Sequence, residues 1–91
     1  MSEYMMIMRS SESEGDWSSY IEKLIGTGMF RGGSAFGNGR CLNRERDDEM
    51  CSATGYMRFE ANSIDDIQNL LAGNPTYEAG GSVEIHELVT S

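Results

Sequence analysis

One proline, one tryptophan, one histidine and two cysteines in 91 residues leave little of the chemistry that usually announces a function. Cys41 and Cys51 are too few for a disulfide framework and are not spaced like a metal knuckle. A structural metal wants four soft ligands, and His86 is the only further one on offer, so neither a metal nor a cofactor is expected. Reduced thiols on neighbouring strands are the expected state. Basic residues are also scarce: seven stand against fifteen acidic ones, for a formal net charge of −8. Phosphate backbones and anionic bilayers need a basic patch, so no nucleic acid and no membrane is expected as partner. The one cluster of positive charge, Arg40, Arg44 and Arg46, is neutralised by Glu45, Asp47, Asp48 and Glu49 and reads as a solvated connector. No run approaches the roughly 20 apolar residues of a membrane span. The apolar stretch Met1 to Met8 is short, with no basic leader and no small-residue cleavage site behind it. It reads as a strand rather than a signal peptide, which makes a cytoplasmic location the expectation.

What is present is a regular alternation of strand and helix patterns. Tyr4-Met5-Met6-Ile7-Met8 is continuously apolar and too short for a helix, so it predicts a strand covered on both faces. After a polar loop at Glu12-Ser13-Glu14-Gly15, Asp16 is placed to cap a helix. Trp17, Tyr20, Ile21, Leu24 and Ile25 then form one stripe at helical spacing, stopped by Gly26 and Gly28. Met29 to Phe36 turns strand-like, with Gly32 and Gly33 marking a bend or a close backbone approach. Residues 37–52 form a charged loop or hairpin that returns into the next strand. From Thr54 to Ala61 apolar Met57, Phe59 and Ala61 alternate with Tyr56, Arg58 and Glu60, the pattern of a half-buried strand. Ser63 and Asp66 open a second helix with the stripe Ile64, Ile67, Leu70 and Leu71, and Gly73-Asn74-Pro75 closes it. A turn at Tyr77 to Gly81 leads to a last strand, Ser82 to Val89. The order β-α-β-β-α-β predicts a single α+β domain over 1–91, ferredoxin-like βαββαβ, with both helices on one face of an antiparallel sheet.

Two helices cover one face only. The opening strand is apolar at every position from 4 to 8, so its other side is oily, and Tyr56 and Leu88 extend that side. Burial is worth roughly 25 cal/mol per Å² of apolar area, so a homodimer closing over this face is expected. Arg58, Glu60, Glu84 and His86 fall on the same face. They form either a structural ion-pair network, with Arg58 on Glu84 or Glu60, or a site around His86, the side chain that titrates near neutral pH unaided. Trp17 is a core residue or a pocket wall; Asn74 is a left-handed turn residue or part of the same pocket.

The run Gly55-Tyr56-Met57-Arg58-Phe59-Glu60-Ala61-Asn62-Ser63-Ile64-Asp65-Asp66, then Gly73-Asn74-Pro75 and Gly81-Ser82-Val83-Glu84-Ile85, resembles the YCII-related domain family, in its DGPF-domain-like branch. Trp17 and Tyr20 on the first helix, Gly28 and the Gly32-Gly33-Ser34 stretch continue the likeness through the first half. The resemblance implies a dimeric α+β barrel. Some members are assigned a His–Asp active pair, and one relative is associated with dehalogenation of a chlorinated ring. In this chain Trp17 stands at the position of that His and Asn74 at that of the Asp, so the pair cannot move a proton here. The Asp-Gly-Pro-Phe signature is missing, with Arg44 to Glu49 in its place, and His86 stands where relatives carry Arg or Lys.

Three function classes follow. One is a small-molecule binding or accessory domain with Trp17, Tyr56, Arg58, Asn74, Glu84 and His86 around a ligand between the sheets. Another is an enzyme on a small organic substrate, using His86 as acid or base and Arg58 to hold an anion. The last is a purely structural or protein-interaction dimer. The replaced family pair weighs against catalysis, and the binding reading is preferred.

Overall fold

The opening run forms β1 (Ser2–Arg9), whose alternate residues Tyr4, Met6 and Met8 are buried. The computed structural model describes residues 1–9, 15–45 and 52–89. Helix α1 (Trp17–Gly26) starts where Asp16 caps it. The Asp16 carboxylate accepts from the Ser19 hydroxyl at 2.6 Å and from its backbone N–H at 3.0 Å. Those bonds, the hydroxyl first, hold the Asp16 carboxyl below its ordinary range. The helix runs out at Gly28, whose φ of 75° only glycine adopts freely.

Strands β2 (Phe30–Ala35) and β3 (Ala53–Ala61) follow, then α2 (Ile64–Gln68) with a 3₁₀ turn at Asn69–Leu71, α3 (Pro75–Glu78) and β4 (Ser82–Leu88). The sheet order is β2-β3-β1-β4 and every pairing is antiparallel. This is the expected α+β, ferredoxin-like order with one extra short helix. The charged segment 46–51, with Arg46, Asp47, Asp48, Glu49 and Cys51, lies outside the described residues, as does most of the expected Glu12-to-Gly15 loop.

One face of the sheet carries Tyr4, Met6, Met8, Met57, Phe59 and Ala61, sealed by Tyr20 and Leu24 of α1 and by Ile67 and Leu70. Phe59 is at the centre, its ring 5.7 Å from that of Phe30. The register places Val83 and Ile85 of β4 on the same side, opposite Met8 and Met6. The glycines of β2 act as expected. The pairing shifts between Phe30 and Gly33, a bulge with Gly32 at φ 102°. A Cβ on Gly33 would collide with the Tyr56 carbonyl and stand 2.9 Å from the Met57 Cα.

Several expectations are corrected. Ile25 and Ile64, expected on buried stripes, are 62% and 45% exposed. Both sit at the margin of a stripe, where a helix turns away from the sheet. Pro75 does not only end the second helix. It stands at the start of α3, where a missing N–H costs nothing, and the first two residues of the expected Tyr77-to-Gly81 turn belong to this helix, which runs Pro75–Glu78. Asn74 is not left-handed: at φ −64° and ψ 118° it caps α3, and the positive φ falls on Gly73. Among the described residues no helix is long and apolar enough to cross a membrane.

Candidate functional site

The helix-covered side of the sheet is not filled to its edge. Between α1 and the β2–β3 end lies a cavity of about 440 Å³, within the roughly 300–1,000 Å³ of small-molecule sites. Five elements converge on it. β1 sends Met8, α1 sends Trp17 and Ile21, and β3 contributes Met57 beside Thr54, Gly55 and Tyr56. β2 adds Phe30, Gly33, Ser34 and Ala35, and α3 adds Thr76. Small residues make the space. Gly33 and Gly55 face each other's strands so closely that neither tolerates a side chain without a shift: a Cβ on Gly55 would stand 3.0 Å from the Ser34 carbonyl oxygen. Trp17 forms one wall, edge-on to Tyr20 with ring centroids 6.1 Å apart.

The polar atoms of this wall differ in what they already hold. The Thr54 hydroxyl donates to the Met8 carbonyl at 3.3 Å, and that of Ser34 donates to the Ala35 carbonyl at 2.8 Å. Thr76 is 1% exposed, and its hydroxyl makes no hydrogen bond among the described residues. No fully enclosed side-chain oxygen or nitrogen among them lacks a partner, so this oxygen keeps its access to the cavity. Nothing in the sequence marked Thr76; it becomes legible only once Asn74 is seen to start a helix that aims the next turn inward.

Asn74 lies beneath, with no exposure at all. Its Oδ1 accepts from the Tyr77 N–H at 3.1 Å and its Nδ2 donates to the Met6 sulfur at 3.6 Å. Nearby, the Tyr20 hydroxyl donates to the Leu70 carbonyl at 2.7 Å. Burial pushes the Tyr20 phenol up, partly offset by Asn74 beside it.

The other candidates are on the opposite face. In the register Arg58 and His86 both lie opposite Met5, and Tyr56 and Glu84 both lie opposite Ile7. Period-two alternation therefore splits the six expected residues. Trp17 and Asn74 belong to the helix side, while Arg58, Glu84 and His86 belong to the other side, helix-free among the described residues. Tyr56 reaches both: it borders the cavity, and its ring stacks on Phe36 at 5.6 Å and 23°. Arg58 pairs with neither Glu84 nor Glu60 but with Glu3, at 3.3 Å. Glu60 takes Arg31 instead, at 3.3 Å. Glu84 holds two partners: its Oε2 accepts from Arg9 at 2.5 Å and its Oε1 from His86 Nε2 at 2.8 Å. The Arg9 guanidinium, held charged by that carboxylate, also donates to the Ser52 hydroxyl at 2.6 and 2.9 Å. This quartet was not expected, because it joins three segments that only the register brings together.

A second hollow, of about 530 Å³, lies outside the core between the start of α1 and the α2–α3 connection. It is a surface groove edged by Asp16, Lys23 and Glu78, and Lys23 already donates to the Ala72 carbonyl at 2.7 Å. Among the described residues no group of His, Cys, Asp and Glu is arranged to hold a metal ion.

No family model matches the chain, and no curated protein matches it. Among solved structures, it is similar to 5-chloro-2-hydroxyhydroquinone dehydrochlorinase (TftG) from Burkholderia phenoliruptrix AC1100, in complex with 2,5-dihydroxybenzoquinone. The match spans 98% of this chain and 95% of that one, with a TM-score of 0.53 and 12% identity. The shared property is the fold. At that identity nothing about activity follows from it.

Proposed function

We propose that this chain is a small-molecule-binding protein that holds an uncharged, largely apolar ring between α1 and the sheet, and that it works as a homodimer joined through the helix-free face. The observation that carries the first part is the 440 Å³ cavity walled by Trp17, Ile21, Phe30, Met8 and Met57. Among the described residues its lining includes no carboxylate, ammonium, guanidinium or imidazole, so an anionic ligand would enter without a partner, at high cost. The same lining disfavours acid–base catalysis, which needs titratable groups within hydrogen-bond reach of the reacting atoms. Trp17 and Asn74, at the positions where the sequence resemblance would put a His–Asp pair, point the same way. The dehydrochlorinase of like fold binds a substituted benzoquinone, and a single six-membered ring is well within this volume.

Met5, Ile7 and Leu88 support the dimer: they are half-buried on a face that no helix among the described residues covers, beside the Tyr56–Phe36 stack. Closing two such faces would remove that surface from water at roughly 25 cal/mol per Å².

A second reading rests on the Glu84–His86 contact of 2.8 Å. Enclosed between two sheets, this pair would be an acid–base site acting on a substrate held by Arg58.

Trp17 is the only tryptophan, so its fluorescence reports on the cavity. Saturable quenching by toluene or phenol, lost in Ala35→Phe, is expected on the first reading. An unresponsive Trp17 with both probes overturns it. Turnover of a substituted phenol or quinone that His86→Ala abolishes would establish the second.

A further inference from the structure

Among the described residues the cavity wall holds one hydrogen-bonding side chain that is both buried and unengaged, in a mostly apolar surround. We infer that Thr76 is a specificity-determining residue: its hydroxyl receives the single polar group, a hydroxyl or carbonyl, of an uncharged ligand. The inference rests on the binding reading above and narrows it from any apolar ring to one carrying such a group.

A hydroxyl that opens onto the cavity and holds no protein partner can take a ligand's polar group without breaking a bond of the fold. Thr76 is 1% exposed and makes no hydrogen bond through its side chain among the described residues, while its own carbonyl accepts from Gly81 N–H at 2.9 Å. The two neighbouring hydroxyls, of Thr54 and Ser34, already serve main-chain carbonyls. Position explains the difference. Asn74 caps α3, Pro75 starts it, and Thr76 is carried inward on a helix anchored by a fully buried side chain. A threonine hydroxyl both donates and accepts, so an alcohol, phenol or ketone oxygen suits it equally. A carboxylate does not, because one neutral hydroxyl cannot offset its desolvation.

The test compares two probes of nearly equal size, phenol and toluene, by Trp17 fluorescence in the wild type, Thr76→Val and Thr76→Ser. Valine keeps the shape and deletes the hydroxyl; serine keeps the hydroxyl. The expected result is a phenol-to-toluene affinity ratio that falls roughly three- to tenfold in Thr76→Val, the worth of one hydrogen bond. Thr76→Ser should keep the wild-type ratio, and toluene alone should bind the valine variant no more weakly than the wild type. Thr76→Val should also melt at or above the wild-type temperature, since no protein bond is lost. An unchanged ratio in Thr76→Val overturns the inference and leaves the binding reading standing. A valine variant that fails to fold overturns it too, because the hydroxyl would then be holding the structure. Absence of binding by both probes to the wild type overturns the inference together with the reading beneath it.

Discussion

Glu84 and His86, two positions apart on β4, meet at 2.8 Å, and the other oxygen of the same carboxylate receives Arg9 from β1. The Arg9 hydrogen bond, then that of His86, hold the Glu84 carboxyl below its ordinary range. Folding thus favours the ionised form. The resulting stability is complete above the ordinary carboxylate range of about 4–4.5 and is lost as pH falls through the depressed folded value. Glu84→Gln is expected to melt below the wild type near pH 7, with the gap narrowing as pH falls below the ordinary carboxylate range. A thermal-melt series across that range checks it. Because both groups are exposed, the gap should be small and should shrink in high salt.

Ile7 tests the association. Its side chain lies on the helix-free face, opposite Tyr56 and Glu84. Ile7→Glu adds a charge there without touching the helix-side core, so the expected product is a folded monomer. Sedimentation equilibrium at micromolar concentration reads it: a wild-type dimer and a monomeric variant are the expected pair.

Gly33 and Gly37 make a matched comparison on one segment. A Cβ at Gly33 meets the Tyr56 carbonyl and Met57 Cα, whereas at Gly37 nothing lies within 4 Å. Gly33→Ala should destabilise by about 1–3 kcal/mol by disturbing the β2–β3 pairing, and Gly37→Ala should be neutral. Urea unfolding of both variants gives the numbers.

Phe59 is 1% exposed at the middle of the helix-side core. Phe59→Ala is expected to cost about 3–5 kcal/mol, the range for a large aromatic removed from a packed interior. Asn74→Ala loses the α3 cap and the contact with Met6, for about 1–2 kcal/mol, and should weaken ligand binding as well, since α3 carries Thr76. Equilibrium unfolding with a parallel phenol titration checks both.

The strands and α1 were legible because their signal is local. Met57, Phe59 and Ala61 alternate, Trp17 to Leu24 recur at helical spacing, and Asp16 is a cap by its chemistry. The split between the two faces was legible for the same reason, since alternation alone sends Arg58 and His86 to one side. Pairing across strands was not. Arg58 choosing Glu3, and Glu84 choosing Arg9, depend on register, which sets partners more than 50 residues apart in sequence. Short α3 was hidden because Gly73-Asn74-Pro75 can either stop a helix or start one, and the buried side chain of Asn74 decided it. The cavity was least legible. It is a gap between five elements, produced as much by the missing side chains of Gly33 and Gly55 as by the rings that line it.

The bulge in β2 carries a consequence for how the edges of this sheet would receive another strand. A bare outer strand invites another to add to the ladder, and two such margins bound this sheet, at β2 and β4. At one, the kink at Gly32 breaks the straight row of amides that an incoming strand would need. At the other, Glu84, His86 and Glu87 line a rim on which an identical acidic rim would repel. Lateral addition of strands is thereby discouraged on both flanks, as the proposed pairing through the helix-free face would require.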